Sequence, residues 1–530
     1  MLKRIKKALF QKENIPVALI LFLAAIFRIY RIDEYLTFLG DEGRDVLVVK
    51  HILDGNLTLL GPTASVGGFF LGPIYYYMMV PALFLANYNP VGPAVMVALI
   101  GVATVFLVYY VSRKFFNSYL AALAVSLLYA ISPLVILYSR SSWNPNPVPF
   151  FALLMLYLLY KAVLNNSWKL FVICGVLFGI LLQLHYLATF LGVIVVLYLG
   201  IATLYQIKKI PQNIVALIKR YVLFGIGTII GWSPFLAFEL RHGFQNFKSI
   251  YDFVFQSGET GGNGEYIVIV QDVFFRLFGR LIFVFPQPND LHLYSENVVL
   301  MWPVIVYVTA VTSVGFCLAK LYLSLKKKDE AFYKYLLLLV WLAVGVFLFG
   351  FYKKSIYDYY LGFMFPLPFL LFAAPLSFLF KKGKVLLGVG VIVILLIVSL
   401  NLYFNPFRKI GNYQMYQVKT ISEFVLDQTD GKPYNFAVIS SGGNSDYAYR
   451  YFFETNKMPP TTIEFPGADP DRKSITDQLL IVCESSPCHP LGYPLWEVAG
   501  FGQAEIVGEW PVSVLRVYKL KHYKGEKPKN

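Results

Sequence analysis

The chain has 530 residues, of which 57% are hydrophobic and only 15% charged, with a formal net charge of +15. So little charge over such a length excludes an ordinary soluble globular protein. The excess of lysine and arginine does not mark a nucleic-acid binder, because these residues concentrate in short loops between apolar runs, where they set membrane orientation.

Repeated apolar runs of about 20 residues can cross a hydrocarbon core of roughly 30 Å as helices. The alternating ten-residue segments of a β-barrel are not seen. The expected fold class is an all-α polytopic membrane protein with a small α/β C-terminal domain. The N-terminal segment carries Lys3, Arg4, Lys6, Lys7 and Lys12 and is expected in the cytoplasm. A first span at 15–31 follows, closed by Arg28 and Arg31 and without the small-residue cleavage site of a signal peptide. Residues 32–91 then form an outer loop. Within it, 72–87 is apolar but short, contains Pro81 and carries the run Tyr75-Tyr76-Tyr77. If it crossed, Arg113/Lys114, Lys208/Lys209/Lys219/Arg220, Lys326–Lys328 and Lys381/Lys382/Lys384 would all face outward. It is therefore expected to lie in the outer leaflet without crossing. Further spans are expected near 92–112, 119–138, 147–164, 170–187, 188–206, 221–240, 298–325, 332–352, 361–380 and 385–404, about eleven in all.

The tail, 405–530, is polar and mixed. Strand-like runs at 435–440, 479–483 and 512–519 and helical patterns at 414–428 and 445–456 point to a small extracytoplasmic α/β domain. The organisation is thus a membrane domain over 1–404, with a catalytic first outer loop at 32–91, and an α/β domain over 405–530. Cys174 and Cys317 fall in spans as small packing residues. Cys483 and Cys488 either close a small loop or remain free thiols.

Polar residues gather at the outer ends of the spans. Phe38-Leu39-Gly40-Asp41-Glu42-Gly43-Arg44-Asp45 places adjacent carboxylates just past the first span. One carboxylate of such a pair can take a proton from an acceptor hydroxyl while the other orients it, a role worth about 10²–10⁴-fold in rate. The plainer reading of Asp41 and Glu42 is a solvated helix start. Arg140, in Ser139-Arg140-Ser141-Ser142-Trp143-Asn144, offers a planar donor fork suited to phosphate, or anchors a helix end at the interface. His185 sits in a hairpin between spans, as a site residue or a hydrogen-bonded structural histidine. Lys353 and Lys354 break the positive-inside pattern next to Tyr359 and Tyr360, so they point to an anionic ligand or to a solvated loop. A base beside cationic groups is what transfer from a phosphate-activated donor needs. At the bilayer surface that donor is a lipid phosphate. Paired carboxylates also suit a divalent cation, Mg²⁺ or Mn²⁺, although no ligand set beyond Asp41 and Glu42 supports one.

On these residues the chain resembles the GT-C membrane glycosyltransferases, specifically glycosyltransferase family 39, which includes the dolichyl-phosphate-mannose protein mannosyltransferases and the aminoarabinose transferases. The resemblance covers about residues 10–380. It rests on Asp41-Glu42, His51-Ile52-Leu53-Asp54-Gly55, Gly72-Pro73-Ile74-Tyr75-Tyr76, Ser139-Arg140, and Tyr359-Tyr360 with Pro366 and Pro368. It departs from the family pattern where members often carry two prolines (here Gly72-Pro73), an arginine at the next helix start (here Val91-Gly92-Pro93), and an acid after the Ser-Arg stretch (here Asn144). The tail matches no family motif.

The resemblance implies an inverting transfer of a sugar from a polyprenyl-phosphate donor to a hydroxyl of a protein, glycolipid or polysaccharide acceptor on the extracytoplasmic face. Asp41 would be the base. The competing readings are a non-sugar transferase, a non-enzymatic assembly factor, and a transporter or flippase of lipid-linked substrates. A transporter would bury polar groups at mid-membrane on repeated halves, and neither is visible here.

Overall fold

The computed structural model describes residues 14–207, 214–261, 265–440 and 445–525. The basic N-terminal residues Lys3 to Lys12, and Lys208 and Lys209, lie outside the described residues. The chain divides into two compact units. One comprises Met1–Tyr30, Thr58–Met78 and Pro93–Ile410; the other comprises Arg31–Leu57, Met79–Gly92 and Gly411–Asn530. The tail therefore shares its unit with most of the first loop, a grouping absent from the boundary expected at 404/405.

Every expected span contains an apolar helix. Val91–Phe116, Val148–Asn165, Tyr186–Gln206, Glu296–Lys327, Ala331–Phe351 and Lys384–Arg408 are long and apolar enough to cross a membrane. Prolines set several starts, at Pro149, Pro234 and Pro368. Left-handed residues at Asn117, Asn166 and Lys328 end others. Three expected spans are interrupted. The 221–240 run is Ile214–Gly231 followed by Ser233–Arg241, bent by 71°, and the 361–380 run is Asp358–Met364 followed by Leu367–Leu379, bent by 52°. The 119–138 run breaks at Ser132, where Pro133 cannot continue the hydrogen-bond ladder. Ile15–Ile29, Ile74–Leu85, Tyr119–Ile131 and Trp168–Leu184 are shorter apolar helices. At 1.5 Å per residue, Ile74–Leu85 is about 18 Å long, too short to cross a bilayer core unaided.

Lipid tails are as apolar as leucine, so helices in a membrane associate through close packing. Gly175 and Gly179 of Trp168–Leu184 face Gly227 and Gly231 of Ile214–Gly231, and a Cβ at any of the four would overlap the opposite backbone. Both helices thus carry a Gly-x-x-x-Gly face. By contrast Glu296–Lys327 and Lys384–Tyr403 expose Leu300, Met301, Val304, Ile392, Leu395 and Leu396, as lipid-facing helices do.

The second unit holds a four-stranded sheet, ordered β1 (Asn435–Ile439), β2 (Gln478–Cys483), β4 (Leu515–His522), β3 (Ala504–Val512). β1 and β2 pair in parallel and the other neighbours antiparallel. β1 and β2 are buried throughout, as their unbroken apolar runs demand. β3 is a largely exposed edge strand that carries Pro511. The strand expected at 512–519 straddles the real hairpin, which turns at Ser513 in the left-handed region. One sheet face packs Ile439, Leu479, Ile481, Cys483 and Leu520 against Ile463, Val498 and Phe501. Helix Tyr447–Thr455 covers β1 through the Phe453 ring, 4.8 Å edge-on from Phe436. Cys483 and Cys488 form a disulfide.

Candidate functional site

The two carboxylates of the first loop have different surroundings. Gly40, at φ +52, turns the chain into helix Asp41–Leu53, and Asp41 and Glu42 occupy its first turn. Helix N-termini favour negative charge there. The Asp41 side chain is 49% exposed and pairs with Arg44 Nη1 at 2.8 Å. Arg44 also reaches the buried Asp45 at 2.8 Å, so one guanidinium bridges two acids. Glu42 is buried and turned back along the chain, where its Oε2 accepts from Phe38 N (2.5 Å) and Thr37 Oγ1 (2.9 Å). Asp41 is therefore half exposed, while Glu42 is tied to the residues that precede the helix. Among the described residues no group of three or more His, Cys, Asp or Glu could hold a metal ion.

The other candidates belong to the membrane unit. His185 is buried at the turn between two helices and stacks on Tyr186 (4.7 Å) with Tyr360 (5.6 Å) and Tyr359 (5.9 Å) around it. Its Nδ1 accepts from Leu187 N at 3.3 Å. A neutral imidazole with Nδ1 as acceptor keeps its proton on Nε2. Hydroxyls extend the cluster: Tyr186 lies 3.2 Å from Tyr352, and Ser65 lies 3.3 Å from Tyr360. Trp143 packs on Tyr359 at 4.4 Å. Lys354 pairs with Glu259 at 2.7 Å. Lys353 is exposed, and among the described residues no carboxylate pairs with it.

Arg140 stands apart from this cluster. It is buried, and its Nη1 and Nη2 donate to the carbonyls of Phe27 (3.1 Å) and Tyr30 (2.8 Å) while its guanidinium lies 4.6 Å from the Phe407 ring. These carbonyls end helix Ile15–Ile29, so Arg140 caps it. This geometry fits the helix-end anchor, with two of the guanidinium's donors taken by carbonyls.

Three groups that sequence reading passed over are well placed. Arg280 pairs with the buried Asp358, next in sequence to Tyr359. Arg276 donates to Ile356 O at 2.7 Å and pairs with Asp272 at 2.6 Å. The only hint in the sequence was two arginines one turn apart at the end of an apolar helix. Glu239 is the third. Buried, it accepts from Asn246 Nδ2 (2.7 Å), whose Oδ1 in turn accepts from Phe70 N (2.9 Å).

That last chain of bonds fixes one wall of an apolar cavity of about 730 Å³, lined by Phe69, Leu71, Phe178, Phe190, Trp232 and Phe235 among others. Tyr186, Tyr352, Thr189 and Thr260 supply its polar edge. Lys353 directly follows Tyr352. A large apolar pocket with a few convergent polar groups is the expected form of a binding site, and here it suits a hydrocarbon chain with a polar head.

Residues 72–232 match the family model described as dolichyl-phosphate-mannose-protein mannosyltransferase; half of the cavity lining, together with His185, Tyr186 and Trp143, falls within them. Among solved structures, the chain is similar to ArnT from Cupriavidus metallidurans bound to undecaprenyl phosphate, with a TM-score of 0.58 and 12% identity over 95% of this chain and 97% of that one. The apo state of the same protein gives a TM-score of 0.57 and 11% identity over 96% and 97%. A comparison with curated proteins found no match. At such identity the likeness establishes the fold: a multi-pass, ArnT-like helical membrane protein with a small C-terminal sheet domain.

Proposed function

We propose that this protein is a membrane glycosyltransferase that moves a sugar from a polyprenyl-phosphate carrier to an acceptor hydroxyl on the extracytoplasmic face. The observation that carries this reading is the apolar cavity of about 730 Å³ whose edge is made of tyrosine hydroxyls. An isoprenoid chain fills the apolar part. The phosphate meets the polar edge at Tyr186 and Tyr352; His185 and Tyr360 lie against Tyr186, behind that edge, and Lys353, next in sequence to Tyr352, supplies charge. Lys354 is paired with Glu259, which offsets its charge, so Lys353 is the lysine that offers a net positive charge here. Arg140 has no phosphate role in this reading, because helix-end carbonyls occupy its fork. The matched family segment and the fold shared with a protein solved with undecaprenyl phosphate support the same donor class.

Asp41 is the base. It takes the proton of the acceptor hydroxyl as that oxygen bonds to the anomeric carbon. The bond from that carbon to the phosphate oxygen breaks, and the polyprenyl phosphate leaves with the electron pair and one added negative charge. Attack opposite the leaving group inverts the anomeric centre. Membrane lipid surrounds the spans, the N-terminus is cytoplasmic, and the sheet domain is extracytoplasmic.

The test uses the full-length protein in nanodiscs with a panel of labelled undecaprenyl-phosphate hexoses and pentoses. Asp41→Asn is expected to lose about 10²–10⁴-fold in turnover with donor binding retained. Wild-type turnover by Asp41→Asn would remove the base from the scheme.

A further inference from the structure

Helix Asp41–Leu53 is held by the C-terminal domain. Gly43, two residues from Asp41, lies so close to helix Tyr447–Thr455 that a Cβ there would sit 2.7 Å from the Ala448 backbone. At the far end of the same helix, Glu454 Oε2 meets His51 Nε2 at 2.8 Å and Lys50 Nζ at 3.4 Å. Before the helix, the Phe38 ring packs on Tyr451 (5.9 Å) and Phe452 (5.5 Å). Farther back, Glu34 O accepts from Tyr413 N at 2.9 Å, and Tyr416 OH donates to Asp33 Oδ2 at 2.5 Å. Tyr451 OH also donates to Tyr88 O, in the last part of the loop. Segments from both ends of this loop are thus fastened to helix Tyr447–Thr455, and the loop's first residues also to the start of helix Gln414–Gln428.

We infer that helix Tyr447–Thr455 is a positioning element for catalysis: the Gly43–Ala448 contact and the Glu454 bridge to Lys50 and His51 set where Asp41 stands. The inference rests on the reading of Asp41 as base, and it gives the C-terminal domain a task in the reaction. The contact at Gly43 fixes depth, since no side chain separates the two backbones. The Glu454 bridge fixes rotation, since it grips the helix about two turns beyond Gly43. None of these groups touches substrate; they act through Asp41. Displacement of a reacting group by about 1 Å can cost on the order of 10²-fold in rate, so a modest shift of this helix is enough.

Gly43→Ala, Glu454→Ala and Glu454→Gln in the full-length protein test this. Two readouts are taken: kcat and KM with the undecaprenyl-phosphate sugar panel, and amide hydrogen exchange over residues 41–46. Gly43→Ala and Glu454→Ala are expected to lower kcat by about 10–100-fold with donor KM unchanged. They should also speed exchange at 41–46 while the membrane helices stay protected. Glu454→Gln, which keeps the hydrogen bond, is expected to recover most of both. Wild-type kcat and exchange in Glu454→Ala overturn the inference, whether or not Gly43→Ala folds. Asp41→Asn separates the two ideas. If it turns over normally, the base assignment falls. If it is inactive while Glu454→Ala and Gly43→Ala behave as wild type, only the positioning role falls.

Discussion

Replacing Arg140 by alanine distinguishes an architectural arginine from a phosphate ligand. Two hydrogen bonds from a charged donor to the Phe27 and Tyr30 carbonyls are lost, each worth about 1.5–3 kcal/mol. The contact with Phe407 adds about 0.5–1 kcal/mol. Against this, freeing a long side chain recovers about 2 kcal/mol of conformational entropy. The net expectation is a loss of about 1.5–5 kcal/mol, focused on the joint between helix Ile15–Ile29 and residues 138–140. Heat denaturation of the purified protein in detergent should show a Tm lower by several degrees. Donor Kd, measured by retention of labelled undecaprenyl-phosphate sugar below that temperature, should stay within about twofold, the noise of an exposed contact. An unchanged Tm with clearly weakened donor binding would refute the capping argument and return Arg140 to the phosphate.

Glu42→Gln removes the charge from a buried carboxylate bonded to Phe38 N and Thr37; it should destabilise the first loop by about 1–3 kcal/mol, read as faster proteolysis there. Lys353→Ala should raise donor KM about two- to fivefold, more at low salt, with kcat kept; a fall in kcat alone would contradict a binding role. Gly175→Leu should block the contact with Gly227 and cut the yield of folded protein, which size-exclusion of the detergent extract would report. A cysteine placed at Asp41 should react with a membrane-impermeant maleimide added from outside intact cells, and labelling only after lysis would reverse the proposed topology.

The helices of the membrane unit were legible because a bilayer leaves a long unbroken signature: apolar length, with charge at the ends. The three breaks were less so, since Pro133 and Pro366 read equally well as a kink or a stop. Buried β1 and β2 announced themselves as Phe-Ala-Val-Ile and Leu-Leu-Ile-Val, whereas exposed β3 has no such run and its turn at Ser513 lacks the usual Gly or Asn. In the site, Asp41 and His185 stood out by chemical type and position. The inward turn of Glu42 and the Arg280–Asp358 pair did not, because each depends on a partner whose approach only folding decides; for Arg140 the sequence offered helix-end anchoring and phosphate binding alike. The Gly-x-x-x-Gly spacing of 175/179 and 227/231 was a signal that the sequence reading passed over.

The bond between His51 and Glu454 spans 403 positions of chain. At a ribosomal pace of about 5–20 residues per second, roughly 20–80 s separate the synthesis of these two partners. During that interval the segment bearing Asp41 has emerged without the helix that braces it. On the positioning role inferred for that helix, a nascent or prematurely terminated polypeptide would be inserted yet idle, and competence would arrive only with the last quarter of translation.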